Sequence, residues 1–170
     1  MRSGHEAATH GPSGRAPTAI NITMQNCEKL PRYAMSSQFN HQGFDAMICA
    51  YQSCGGTSRA DDVVLLMEQA NEGNFVNVAK RIVSREIFSF EWQSHLWIPM
   101  FQFEMRDMSI KQDVRKIMNE LSGVLDSWTL AAWFVQPNAW LQGGRPVDLI
   151  GVNMHDVLAA ARADRFVAAG

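Results

Sequence analysis

Carboxylates, histidines, cysteines and glycine turns are the side chains that could carry catalysis. Asp61 and Asp62 are adjacent and could in principle share acid and base roles. They also open a helical pattern, where the helix dipole favours acids for structural reasons alone. His95 lies in a polar turn and His155 near a helix start, both ordinary solvated positions. His5, His10 and His41 are scattered, so no set of histidines converges on one segment. Cys27, Cys49 and Cys54 show no CxxC spacing and no Cys/His comb, which argues against zinc and favours reduced thiols. Gly55-Gly56-Thr57-Ser58 and Gly143-Gly144-Arg145 are neither GxxxxGK[ST] nor GxGxxG, so a nucleotide cradle has little support. No GxSxG elbow occurs. The chain is therefore read as a non-enzyme with no catalytic residue, no metal ligand and no cofactor.

Binding chemistry has more candidates. Lys80, Arg81 and Arg85 cluster on one predicted helix, as on a recognition helix, although a solvated helix face would look the same. Phe88, Phe90, Trp92, Trp97, Phe101 and Phe103 could stack nucleobases. Stacking platforms bring dense cations, and no Lys or Arg lies between Glu86 and Glu104, so a face packed on helices is the preferred reading. Arg145 and Asp148 are three residues apart at a turn. They either hold that turn or touch a partner.

The elements that must position these residues follow from periodicity. The chain has 170 residues, 46% hydrophobic and 19% charged, with a formal net charge of -2. That suits one ordinary domain with a tail and disfavours a general polyanion binder. Residues 1–40 contain Pro12, Pro17 and Pro31 and read as a disordered leader with no apolar signal segment. A start at Met24 or Met35 would give the same appearance. Phe44, Met47, Ile48 and Tyr51 predict a helix over 42–53, ended by Gly55-Gly56. Ser58, as a cap, opens a second helix over 59–71. A third carries Phe75, Val78, Ala79, Ile82 and Val83, so the pair is a loose helix-turn-helix. The runs 87–92 and 96–103, across Gln93-Ser94-His95, predict a β-hairpin. Pro99 demotes its second run to an edge or broken strand.

Ser109-Ile110-Lys111-Gln112 reads as a capping box before an amphipathic helix carrying Val114, Ile117, Met118, Leu121 and Leu125. Asp126 or Ser127 caps Trp128 to Val135. Pro146 starts a short helix, and Asn153 with Asp156 opens the last one. The fold expected is mainly α: a compact helical domain with one β-hairpin in the middle. Its parts are the leader 1–40, a helix pair plus hairpin over 41–105, and a helical unit over 106–170. No stretch of about 18 apolar residues is present, so no membrane span is expected.

The block Trp140-Leu141-Gln142-Gly143-Gly144-Arg145-Pro146-Val147-Asp148-Leu149-Ile150, followed by an Ala-rich helix, resembles the toxin-binding domain of the Xre/MbcA/ParS antitoxin family. Leu141, Gly143, Arg145, Pro146, Asp148 and Leu149 match that family's Leu-x-Gly-x-Arg-Pro-x-Asp-Leu-Leu pattern, and Ile150 replaces its last Leu. Trp97 to Phe103 is similar to a P-x-(F/W)-Q-F strand in a related bacterial group. The resemblance spans about 75–170. It implies a small bacterial cytoplasmic antitoxin that neutralises a cognate toxin protein, often of the NAD-attacking RES class. It places partner contacts at Arg145 and Asp148 and at Arg162, Arg165 and Phe166 on the last helix. A homodimer would suit such a protein. No typical Xre-type DNA-binding domain precedes this block. The alternative is a regulator reading operator DNA with residues 59–103 as a small winged helix-turn-helix, through Lys80, Arg81 and Arg85.

Charge by region bears on that alternative. Lys plus Arg against Asp plus Glu is 4 to 3 over 1–54, 4 to 7 over 55–105, and 7 to 7 over 106–170. The DNA-reading segment is the most acidic part, so any DNA contact must rest on one narrow helix face.

Overall fold

The structure, a computed structural model, describes residues 41–170. The leader over 1–40, with Cys27, Met24 and Met35, lies outside the described residues. Helices dominate, around a small antiparallel sheet in the middle of the chain.

Helix α1 (His41–Tyr51) carries Phe44, Met47, Ile48 and Tyr51 on its buried face, as their spacing predicts. A single 3-10 turn, Gln52–Cys54, ends at Gly55 and Gly56, both left-handed at φ 103° and 74°. That reversal sends the chain into β1 (Thr57–Arg59). The sequence reading placed a helix cap at Ser58. Instead Ser58 pairs with Ile98, and helix α2 (Ala60–Gln69) starts after an extended Arg59 with no side-chain cap. The third strand thus finds ladder partners on both sides, one along His95 to Trp97 and the other along Trp97 to Pro99, so the expected hairpin is a three-stranded sheet. Its order is β1-β3-β2, with β2 Phe90–Trp92 and β3 His95–Pro99.

Two further expectations change at β3. It is the central strand rather than an edge, and Pro99, which lacks an N–H, ends it. The turn has two residues, not three, because His95 pairs with Trp92. Gln93 and Ser94 take φ 48° and 60°, the left-handed pair that a two-residue hairpin turn demands. After Pro99 the chain coils into a 3-10 turn, Met100–Gln102. Gln102 is fully buried. Its Oε1 accepts from the Phe88 N–H at 2.8 Å, and its Nε2 donates to the Phe88 and Pro99 carbonyls at 2.9 and 3.0 Å. One side chain thus satisfies backbone groups that no strand reaches.

Helix α3 (Phe75–Val83) is opened by a reciprocal capping box between Asn74 and Asn77. Helix α4 (Gln112–Leu121) begins without the expected Ser109 cap: Phe103 bridges Ile110 and the Lys111 N–H donates to the Gln102 carbonyl at 2.9 Å. These bonds keep the chain extended to Lys111, and Ser109 turns to Asp107 instead. Asp126 caps α5 (Ser127–Val135), accepting from the Trp128 and Thr129 N–H groups at 2.9 Å each. Pro146 opens α6 (Pro146–Leu149), and Asn153 caps α7 (Met154–Ala168).

Two apolar clusters form. The larger draws α1, the sheet's aromatics and α4 to α7 together, so it takes side chains from both sides of residue 105. Phe88 stacks on Phe134 at 5.3 Å, and Phe101 lies 4.9 Å from the same ring. Buried Tyr51 donates to the Ala131 carbonyl at 2.6 Å, and burial holds its phenol well above the usual value. The smaller cluster joins α2 and α3 to Ile98, Met100, Phe103 and Met108.

Candidate functional site

The residues marked by the Gly-x-Arg-Pro-x-Asp pattern meet at one turn. Gln142 and Gly143 are left-handed, at φ 55° and 83°. At Gly144 a Cβ would sit 2.9 Å from Leu149 Cδ1 and 3.1 Å from the Leu141 carbonyl, so only glycine fits there without displacement. The turn aims Arg145 along α6. Its Nε and Nη2 each reach an oxygen of Asp148 at 2.6 Å, the two-pronged fit of guanidinium to carboxylate. Nη2 also donates to Ser53 Oγ at 3.0 Å and Nη1 to the Ala50 carbonyl at 3.3 Å. Arg145 therefore clamps α6 to the C-terminal end of α1, and the Asp148 bond raises its pKa. Of the two sequence readings for this pair, holding the turn is what the geometry displays.

Helix α7 is fastened at two more points. Arg162 Nε donates to Glu120 on α4 at 2.9 Å, and Arg165 pairs with the other carboxyl oxygen. The Arg162 bond leads in holding the Glu120 carboxyl below its usual range, against burial, which raises it; Arg165 adds to the lowering. On its other side Asp164 accepts from Trp133 Nε1 at 2.7 Å, Asn138 Nδ2 at 2.7 Å and Trp140 Nε1 at 2.9 Å. Arg162 and Arg165, expected to face a partner, pair with Glu120 while their side chains stay 59% and 49% exposed. Phe166 is different. It is 82% exposed and Val167 is 69% exposed, at the end of a helix whose preceding turns are bonded to Glu120, Trp133, Asn138 and Trp140.

The three cations expected on one recognition face do not share it. Lys80 is exposed on α3. Arg81 turns back to Glu72, with Nη2 3.4 Å from the carboxyl and 3.3 Å from the carbonyl. Arg85 lies beyond the helix end in a left-handed conformation at φ 60°. The helix stops at Val83, two residues short of Arg85, where the left-handed backbone reverses the chain and the Glu86 N–H donates to the Arg81 carbonyl at 2.8 Å. In place of a basic face α3 exposes Phe75, Val76 and Val83. The hairpin aromatics pack inward, as the preferred reading expects: Phe88, Phe90, Trp97, Phe101 and Phe103 are buried, and Trp92 lies half-buried on Phe44.

The remaining candidates stay apart. Asp61 and Asp62 occupy the first turn of α2. His95 Nδ1 lies 2.7 Å from the Gln93 carbonyl, and His155 is exposed beside Asp156. Among the described residues no group of three or more His, Cys, Asp or Glu could hold a metal. Cys49 is disulfide-bonded, which corrects the expectation of reduced thiols at that position. Cys54 is free, and burial pushes its thiol up to about 11, against the lowering influence of Arg145. Sequence reasoning missed Glu120, Asp164 and Gln102. Asp164 lies in the tail already singled out, one residue from Arg165. Glu120 gave no local signal, because its partners lie 42 and 45 residues away; Gln102 is the Gln of the P-x-(F/W)-Q-F strand, but its Phe88 partner lies 14 residues away.

No helix among the described residues is long and apolar enough to cross a membrane. No protein-family model, curated protein or solved structure matches the chain.

Proposed function

We propose that the chain is a non-enzymatic, antitoxin-like bacterial binding protein whose 106–170 region engages and neutralises a cognate toxin protein. The observation that carries this reading is the end of α7. Glu120 and Asp164 fix the helix, and the fixed helix presents Phe166 and Val167 to solvent. An aromatic held out by a rigid support binds with little loss of freedom, which is the character of an interface anchor. Arg162 and Arg165 act here by holding the anchor in place, and Arg145 with Asp148 by seating α6 against α1.

The test is co-purification with the product of the neighbouring reading frame, a RES-class toxin being the first expectation. Phe166→Ser with Val167→Ser is expected to abolish capture while leaving the melting temperature unchanged, since both side chains are exposed. Capture that survives the double substitution would overturn the proposal. The operator-DNA reading keeps one exposed cation on α3, Lys80, beside an apolar surface. Phosphate contacts need several cations, so this reading has less support.

A further inference from the structure

Helix α3 is amphipathic in an unusual sense: apolar residues cover more of it than the core uses. Val78 is buried and Ile82 half-buried against α2. Phe75, Ala79 and Val83 then follow at i, i+4 and i+8, with Val76 beside them, so they share one further face. Phe75 is 64%, Val76 54% and Val83 83% exposed. Ala79 sits mid-stripe with a side chain short enough to let another backbone come close. The mobile cost of presenting this face is low, since Asn74 and Asn77 lock the start of the helix.

The charges bordering the stripe decide what fits it. Arg81 is paired with Glu72, and Glu86 with Arg115. Lys80 is exposed at the stripe's edge and Arg85 lies just past its end, and neither forms an ion pair among the described residues. The uncompensated charge is positive. A second copy of this chain would bring Lys80 towards Lys80. Duplex DNA would meet exposed Phe and Val where phosphates require donors.

We infer that this face is a second docking surface, separate from Phe166, and that it takes an amphipathic helix of a partner protein. That helix lays an apolar stripe along Phe75, Ala79 and Val83 and sets a carboxylate beside Lys80. Recognition of this kind reads as anchors at helical spacing, with flanking charge setting the choice of partner.

The probe is a labelled peptide of roughly 18 residues, long enough for marginal helicity, with leucines on one face and glutamates beside them. A matched peptide carries lysines in place of the glutamates. The full chain is expected to bind the acidic peptide about tenfold more tightly than the basic one, and amide NMR signals over 75–84 are expected to shift. Val83→Asp and, independently, Val76→Asp are expected to lose binding with the melting temperature unchanged. Lys80→Glu is expected to reverse the preference. Phe166→Ser should leave peptide binding as it was, so this surface and the proposed toxin contact can fail separately. Equal binding of the two peptides, binding of neither, or binding untouched by Val83→Asp and Val76→Asp would overturn the inference. So would Val83→Asp dispersing a self-associated chain, or releasing it from anionic vesicles or duplex DNA, in place of an effect on the peptide.

Discussion

In the C-terminal region α7 is tied down at Glu120 and Asp164, and Arg145 ties α6 to α1. In the α2–α3 region one side chain, Arg81, ties the turn by reaching Glu72 and Met67 Sδ, over the smaller of the two cores. The first region ties Arg145, Arg162 and Arg165 into internal bonds and leaves Trp140, Val152, Phe166 and Val167 exposed. The second leaves Lys80 unpaired and a whole apolar helix face open, with Leu65 of α2 also 55% exposed. The same residue types thus do opposite work, depending on whether a carboxylate from a distant element reaches them. Local stability should divide in the same way.

The largest effect separates the two cores. Phe134 is fully buried between Phe88, Phe101 and Trp133, and Phe134→Ala is expected to cost about 3–5 kcal/mol and to lower hydrogen-exchange protection throughout. Met67, fully buried under α3, is expected to cost about 2–4 kcal/mol as Ala. Its loss of protection should concentrate in 60–83. Equal spread of protection loss from the two variants would show one cooperative unit and break the comparison.

Next comes Asp164. Removing its carboxylate leaves two indole N–H groups and the amide of buried Asn138 without their acceptor. Asp164→Ala is expected to cost about 2 kcal/mol and to change the tryptophan fluorescence of Trp133 and Trp140. Lys80→Ala, in the other region, should stay within about 0.5 kcal/mol of the parent. Urea unfolding followed by fluorescence measures both, and comparable losses at the two sites would contradict the division drawn above.

Periodicity made most of the helices legible, because a buried stripe needs only the residues of its own segment. Val114, Ile117, Met118 and Leu121 of α4 are buried as their spacing predicts. The hairpin was legible for the same reason. What was not legible depends on contacts far along the chain. Strand β1 has three residues and no alternating pattern, and exists because β3 pairs with it from about 40 residues away. The helix start at Gln112 was set by the Phe103–Ile110 bridge rather than by Ser109. Arg145 and Asp148 were found from their spacing, since their bond is local. The roles of Arg162 and Arg165 could not be, since Glu120 lies 42 and 45 residues away.

Arg145→Ala sharpens the clamp half of the comparison. It breaks two bonds to Asp148, one to α1 at Ala50 and one to Ser53 in the turn after it, and a cost of about 1–2 kcal/mol is expected for this partly exposed group. Arg145→Lys should recover less than half of that, because an ammonium cannot reach the carboxylate and the α1 acceptors in one planar fork. Full recovery by Lys would mean that charge alone, and not the fork, holds the turn.

The smallest effect is the pH dependence of the α4–α7 clasp. Glu120 is held below its usual range, first by the Arg162 bond and also by Arg165, although burial works the other way. A carboxyl with a lowered folded pKa contributes stability that is fully present above the unfolded value, about 4.3, and is lost as the pH falls through the folded value. The two arginine side chains are 59% and 49% exposed, so solvent screens the pair and about 0.5–1 kcal/mol is expected. At pH 7 Glu120→Gln should therefore unfold at slightly lower urea than the parent, and near pH 3 the gap should close. Asp107 and Asp126 are also held low, the first by Ser109, the second by Thr129 and Trp128 against burial. They titrate in parent and variant alike, so their contributions cancel in the difference. A gap of equal size at both pH values would show that Glu120 acts by packing, and the fastening of α7 would then rest on Asp164.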